Sequence, residues 1–296
     1  MFCETKKQLR QLVETCSRQL GFSVREICAT LELARSTFYR KPKLPNSDRI
    51  ALEKAVILCF NKHIDRYGRR RIKADLESEG IDATEYIISS ILKENGLFAK
   101  GGRDPKKGKK TPKPTEEQYR AEMLIPDETY AALANGIWHS DITELRYGRS
   151  KKLYVCAILD FATRRIVGHC IAKRQTQDIV REAFLMAVGR NPKRPEGAIF
   201  HSDRGCQYTA KRTKEMVEAH GFRASMSRPR KPNDNQPIES FWKTLKTELT
   251  DISNLNFEEA RMEIVKYIET YYNSRRRHSS IGYMTPNDKF TVLSVQ

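Results

Sequence analysis

Residues 137–145, IWHSDITEL, decide how this chain is read. The stretch alternates like a half-buried strand, yet it carries an aspartate, Asp141, in its interior. A charge in that position is costly unless something binds it. Working outward, KLYVCAIL (152–159) and RIVGHCIA (165–172) read as two further strands, joined by the polar turns RYGRSK and DFATR. From Thr176 the period changes to that of a helix, with Ile179, Val180, Ala183, Phe184 and Ala187 on one face. GAIFHSD (197–203) is a fourth strand that ends on a second aspartate, Asp203. AKRTKEMVEAHG (210–221) supplies another helix, and FRASMS (222–227) a short fifth strand. The polar, proline-rich RPRKPNDNQP (228–237) then leads into a helix that begins near Glu239.

Strands and helices in this order predict an α/β fold: a mixed five-stranded sheet flanked by helices, of the ribonuclease H-like type. Such a sheet places one carboxylate in the middle of a strand, one at a strand end and one on a helix packed beside them. Three carboxylates so gathered suit hard divalent cations, which take oxygen ligands. Paired cations roughly 3.5–4 Å apart serve in-line phosphoryl transfer. Spacing alone proves little, because 37 of 296 residues are acidic and an aspartate after a strand is usually a turn former or helix cap. Context weighs the other way. Asp141 sits inside a strand, and Asp203 is flanked by His201, Ser202 and Gly205. Lys243 and Lys246 follow Glu239 by four and seven residues and share its helix face, Lys246 standing about 10 Å along the axis.

The remaining composition points to a polyanionic partner. Lys and Arg number 54 against 37 acids, a formal net charge of +17, which favours phosphate contacts sensitive to salt. Ribosome-binding and membrane-surface proteins can be equally basic. The seven cysteines are scattered without a CxxC pair, as in a reduced chain without disulfides or structural zinc. His63 follows Cys59 by four residues, but no second ligand pair follows at zinc spacing. There is no signal-peptide pattern at the N-terminus and no apolar run of membrane-spanning length, so the expected location is cytoplasmic and nucleoid-associated.

Four regions are expected. Residues 1–45 hold a helix-turn-helix-like segment: Ser23 is a candidate N-cap, Val24, Ile27, Cys28 and Leu31 form an apolar face, and a second helix presents Arg35, Ser36 and Thr37 to DNA. A plain structural hairpin is the alternative. Residues 46–99 form a second helical, helix-turn-helix-like domain, whose last helix carries Glu85, Ser89 and Ser90 where basic residues would be expected. Residues 100–134 are a linker in which Lys106, Lys107, Lys109 and Lys110 are candidate phosphate contacts. Residues 135–296 are the catalytic domain with a helical extension. Trp138 and Trp242 read as core rather than as base-stacking platforms. His139 and His201 either orient carboxylates or satisfy strand edges. Arg275–His278 is either a DNA contact or a solvated helix end.

Beside this reading, the chain resembles a known family. DRYGRRRIKADLESEGI, WHSDIT, LDFATRRIVG, HSDRGCQYTA, SMSR, DNQPIESFWKTLK and YYNSRRRHSSIGYMTPNDKF are similar, in order and over nearly the whole length, to the second-frame (OrfB) transposases of the insertion sequence 3 group. Those are DDE recombinases with an integrase catalytic core. The resemblance implies that Asp141, Asp203 and Glu239 are the metal-binding catalytic triad, served by two Mg²⁺ ions for which Mn²⁺ can substitute. It implies that Lys246 engages terminal DNA and that Asn235 supports the site, although a turn or cap role for Asn235 stays open. The expected activity is 3′-end cleavage and strand transfer at insertion-sequence ends. The expected partners are double-stranded DNA, further copies of the chain and a first-frame (OrfA) protein. The sequence departs from the family at Glu32, where glycine is frequent, and at Pro229, Pro232 and Pro237. A catalytically silent DNA-binding regulator and a nuclease that cuts without joining are the competing readings.

Overall fold

The computed structural model describes residues 12, 13, 15–17, 23–31, 33, 35, 38, 47–100, 131–227 and 232–294. The chain divides into two compact units, residues 1–54 and 55–296.

In the first unit, helix α1 (Val24–Thr30) starts at Ser23, whose hydroxyl accepts from the Glu26 backbone while the Glu26 side chain bonds back to Ser23. This reciprocal capping satisfies two backbone donors that the helix itself leaves unpaired. Ile27 and Cys28 are buried with Val13 and Leu33, which makes the face read from the sequence the inner one. Helix α2 (Ser47–Lys62) crosses the boundary between the units.

The second unit contains α3 (Arg69–Ser78), α4 (Glu85–Glu94) and the sheet. Strands β1 (Ile137–Tyr147), β2 (Lys151–Asp160) and β3 (Ile166–Ala172) form an antiparallel meander. After helix α5 (Gln177–Arg190) the chain returns as β4 (Ile199–Ser202), parallel to β1. The short α6 (Cys206–Thr209) and α7 (Lys211–Ala219) lead to β5 (Arg223–Met226), parallel to β4. The sheet order is β3-β2-β1-β4-β5, so the mixed five-stranded sheet expected from the sequence is the one formed. Helices α8 (Gln236–Glu248), α9 (Phe257–Lys266), a π-helical turn (Tyr267–Tyr272) and α10 (Pro286–Ser294) complete the unit. Among the described residues no helix is long and apolar enough to cross a membrane.

Strand alternation divides the sheet into two faces. On one, Trp138, Cys156, Ile158, Val167 and Phe200 pack against Ile179, Val180, Ala183, Phe184 and Ala187 of α5. That packing requires Gly168, because a Cβ there would lie 2.2 Å from the Ala183 carbonyl oxygen. On the other face of β1 lie His139 and Asp141, both bonded to the segment around α8. Asp160 ends β2 as a buried cap, accepting from the backbone of Asn135 and from the backbone and hydroxyl of Thr163. At the start of the outer edge of β3, Asn273 accepts from the Ile166 backbone and donates back to its carbonyl, which blocks pairing at that residue.

Candidate active site

The triad carboxylates converge through register and capping. Ser140 of β1 pairs with Ser202 of β4, so Asp141 and Asp203 are the next residues on neighbouring parallel strands. Asp203 accepts a hydrogen bond from Gly205 N–H at 3.0 Å, and a Cβ on that glycine would sit 3.1 Å from the same carboxylate oxygen. Glu239 lies in the first turn of α8, which begins three residues earlier with Pro237 near its start, where a missing N–H costs nothing.

Asn235 fixes where α8 meets the sheet. It is buried, its Oδ1 is 3.0 Å from His139 Nδ1, and its Nδ2 donates to the Ser140 carbonyl at 3.0 Å. One side chain thus ties the start of α8 to the strand carrying Asp141. Trp242, one turn beyond Glu239, donates its Nε1–H to Asp141 Oδ2 at 2.9 Å. The sequence alone reads Trp242 as core. It is buried, but its polar edge faces the carboxylate, and the available signal is its position three residues after Glu239, on the same side of a helix.

The electrostatics follow from this geometry. Burial pushes Asp141 up to about 6, and the charges of Asp203 and Glu239 push in the same direction. Glu239 is raised as well, by loss of water on its protein side. Asp203 and Glu239 thus both press on Asp141. His139 is lowered to about 3 by burial and by the nearby His201. His201 bonds Ser225 and Ser227. Neither histidine bonds a carboxylate of the triad among the described residues; both secure strand positions.

The other sequence candidates fall in different places. Lys243 and Lys246 are exposed on α8. Arg35 is exposed in the first unit, whereas Ser36, Thr37, Lys106, Lys107, Lys109 and Lys110 lie outside the described residues. The Arg275–His278 run is not a solvated helix end at its centre. Arg276 is buried and forms a double hydrogen bond to buried Glu248 at 2.9 Å. Arg277 donates to Asp75 at 2.8 Å, and burial lowers His278 to about 3.

Cys59, His63 and Asp75 also cluster, with ligand-type atoms within 4.8 Å of one another. Asp75 Oδ1 takes Arg277, and Oδ2 lies 3.0 Å from His63 Nε2 and 3.5 Å from Lys62 Nζ. Burial pushes the Cys59 thiol up to about 12. The cluster is built as an ion-pair hub joining α2, α3 and the C-terminal segment.

Comparison with known proteins agrees with the fold and the order of motifs. Two family models described as integrase core domain match residues 131–232 and 220–286. The chain is 36% identical over 258 residues to the transposase for insertion sequence element IS904 of Lactococcus lactis, covering 84% of this chain and 97% of the relative. It is 31% identical over 281 residues to transposase InsF for insertion sequence IS3A of Escherichia coli, covering 90% and 94%. The chain belongs to the IS3-family transposases. This transposase is also similar to solved retroviral structures: the HTLV-2 integrase catalytic core domain in complex with magnesium (18% identity, TM-score 0.41, 54% of this chain and 99% of that one), and the simian T-cell lymphotropic virus intasome in complex with a PP2A regulatory subunit (19%, 0.47, 80% and 74%). It is a DNA transposase with an integrase catalytic core.

Proposed function

We propose that Asp141, Asp203 and Glu239 are the catalytic carboxylates of a metal-dependent 3′-end cleavage and strand-transfer reaction at insertion-sequence ends. The observation that carries this is the uncompensated convergence of acids around Asp141, whose carboxyl is pushed up to about 6 by burial and by its two acidic neighbours. Such a site gains free energy by taking up positive charge, and an all-oxygen donor set fits Mg²⁺ or Mn²⁺. When bound there, a pair of such cations lowers the pKa of the attacking hydroxyl and stabilises the departing oxygen.

The protein's own part is positional. Trp242 holds one oxygen of Asp141 and so fixes the orientation of its carboxylate. Asn235 keeps the first turn of α8, and with it Glu239, against β1. Lys243 and Lys246 give the exposed side of α8 a charge that suits a phosphate backbone. In cleavage, water forms a new P–O bond while the bond to the 3′ oxygen breaks, leaving a 3′ hydroxyl. In joining, that hydroxyl attacks a second phosphodiester and a target 3′ oxygen leaves. No covalent protein–DNA intermediate is formed. The working form is an oligomer that bridges two element ends, with a first-frame protein as a further partner.

The test is incubation of the purified chain with labelled duplexes carrying the inverted repeats that flank its gene, in Mg²⁺ or Mn²⁺, beside Glu239→Gln. Cleaved and rejoined strands that require both metal and Glu239 establish the reading. Equal inactivity with intact binding, repeated after addition of the first-frame partner, overturns it in favour of a regulator.

A further inference from the structure

An open cleft of about 680 Å³ runs between the start of α3 and α8, the helix that carries Glu239. Its lining includes seven cationic residues and a single carboxylate, Glu248. Glu248 is already neutralised by Arg276 and approached by Arg71 at 3.4 Å, so the cleft keeps a large positive excess.

The cations differ in what they do. Arg66 and Arg71 make the floor: Arg66 donates to the Glu248 carbonyl and stacks 4.2 Å from the Tyr271 ring centre, and Arg71 reaches the Arg66 carbonyl and Glu248. These groups are consumed in holding α3 to α8. Arg69 and Arg70 make the rim. Both approach Glu85 through Nε, at 2.9 and 3.5 Å, and both are more than half exposed. One carboxylate shared by two guanidinium groups orients them without cancelling their charge, and a guanidinium engaged at one edge has donors left for phosphate. Lys100 extends the same rim, its backbone tied to the Asp65 carbonyl. The facing wall is Ser240, Lys243 and Thr247 of α8. At about 100° per residue, Lys243 lies roughly 40° around the helix from Glu239, and Thr247 and Ser240 roughly 80–100°. Thr244 and Glu248, which also line the cleft, lie roughly 140° and 180° from Glu239, so the cleft opens onto the flank of α8 next to the side that carries Glu239, with Lys243 as the lining residue nearest to it around the helix.

We propose that this cleft holds a sugar-phosphate strand of the DNA being processed, with Arg69, Arg70 and Lys100 as the wall opposite Lys243. Two features commit the occupant to DNA rather than to an acidic protein. Ser240, the residue after Glu239, lines the groove, and Lys100 on its rim is followed in the sequence by the lysine-rich stretch 100–115. The proposal rests on the reading that the chain acts on DNA at the triad, and adds the path by which a strand leads to or from it.

The experiment measures affinity of the full chain for a duplex of the flanking inverted repeat across a salt series. Wild type is compared with Arg69→Gln/Arg70→Gln, Arg69→Lys/Arg70→Lys and Lys100→Gln. Lys211→Gln/Lys214→Gln on α7 removes two exposed charges elsewhere. Removing one phosphate-binding charge should lower the slope of log affinity against log salt by about 0.9. The expected result is a slope reduced by about 1.8 for the double glutamine variant and about 0.9 for Lys100→Gln, with near-wild-type slopes for the lysine and α7 variants. A double glutamine variant that melts like wild type and keeps the wild-type slope overturns the proposal. So does an equal fall in the α7 control. Cleavage by wild type is scored in the same samples: slopes that respond while wild type fails to cut, even with the first-frame partner, retain the cleft and reject the catalytic reading. Cutting with unresponsive slopes does the reverse.

Discussion

Two groups of buried or half-buried acids in one compact unit behave in opposite ways. Around Asp75 and Glu248, every acid has a cation: Arg277 for the first, Arg276 for the second. Burial alone would raise Asp75, but the hydrogen bonds from His63 and Arg277 outweigh it and hold the carboxylate below its usual range. Around Asp141, burial acts in the same sense and the neighbouring charges reinforce it, so the carboxyl rises to about 6. The residue types are the same, and partner choice makes one group a brace and leaves the acids of the other facing one another. A folded chain leaves acids facing one another where the missing charge arrives with the reaction, which is how perturbed groups mark functional sites.

The sharpest way to break the comparison is to remove an acid from each side. Glu239→Gln should lower cleavage and joining by at least about 10³-fold with little change in melting temperature, measured by product formation and thermal unfolding. Glu248→Gln should do the converse, costing about 3–5 kcal/mol by stranding a buried Arg276, seen as a lower urea midpoint. Adding Arg276→Met to it should recover part of that stability. A smaller effect is expected from Trp242→Phe, which keeps the packing but removes the donor to Asp141. Turnover should fall about tenfold, as expected for deleting one hydrogen bond to a charged group, with affinity for DNA retained.

The smallest effect is in pH. The Asp141 carboxyl sits at about 6 in the folded chain, above the ordinary aspartate range, so its negative charge opposes folding once the proton leaves. The metal-free protein should therefore gain relative stability as pH falls from about 6 toward the ordinary aspartate value of about 4, and Asp141→Asn should reduce that gain to the share of Asp160, whose buried carboxyl is also pushed up to about 6. Metal uptake must displace the same proton. Apparent Mn²⁺ affinity, followed by quenching of Trp242, should be flat above about pH 6 and fall up to about tenfold per pH unit below it.

Much of this is legible in the sequence because it is local. Alternation marks the five strands, the switch of period marks α5, and an aspartate inside a strand marks Asp141. The brace is not legible, because its members are far apart: Arg277 and Asp75 are 202 positions apart, and Arg276 and Glu248 are 28. A run of basic residues then reads as a DNA contact or a wet helix end, when two of its arginines are already spent. Glu85 is unpromising in a DNA-facing helix, and its pairing with Arg69 and Arg70 shows what it does instead. Trp242 is half legible, since burial is common for tryptophan but the target of its N–H depends on how α8 lies on β1.

The Asn235 bridge has a consequence for the timing of activity. Asn235 must reach back 96 positions to His139 and 95 to Ser140 before Glu239 can stand beside Asp141. The brace below α8 waits for a residue made later still, Arg276. A nascent chain emerging N-terminus first, at about 5–20 residues per second, thus carries both aspartates for seconds before the third acid can join them. On the proposed assignment of the three acids, a chain cut short before Glu239 would lack a cutting centre, and the order of synthesis would itself act as a safety catch on a DNA-breaking protein.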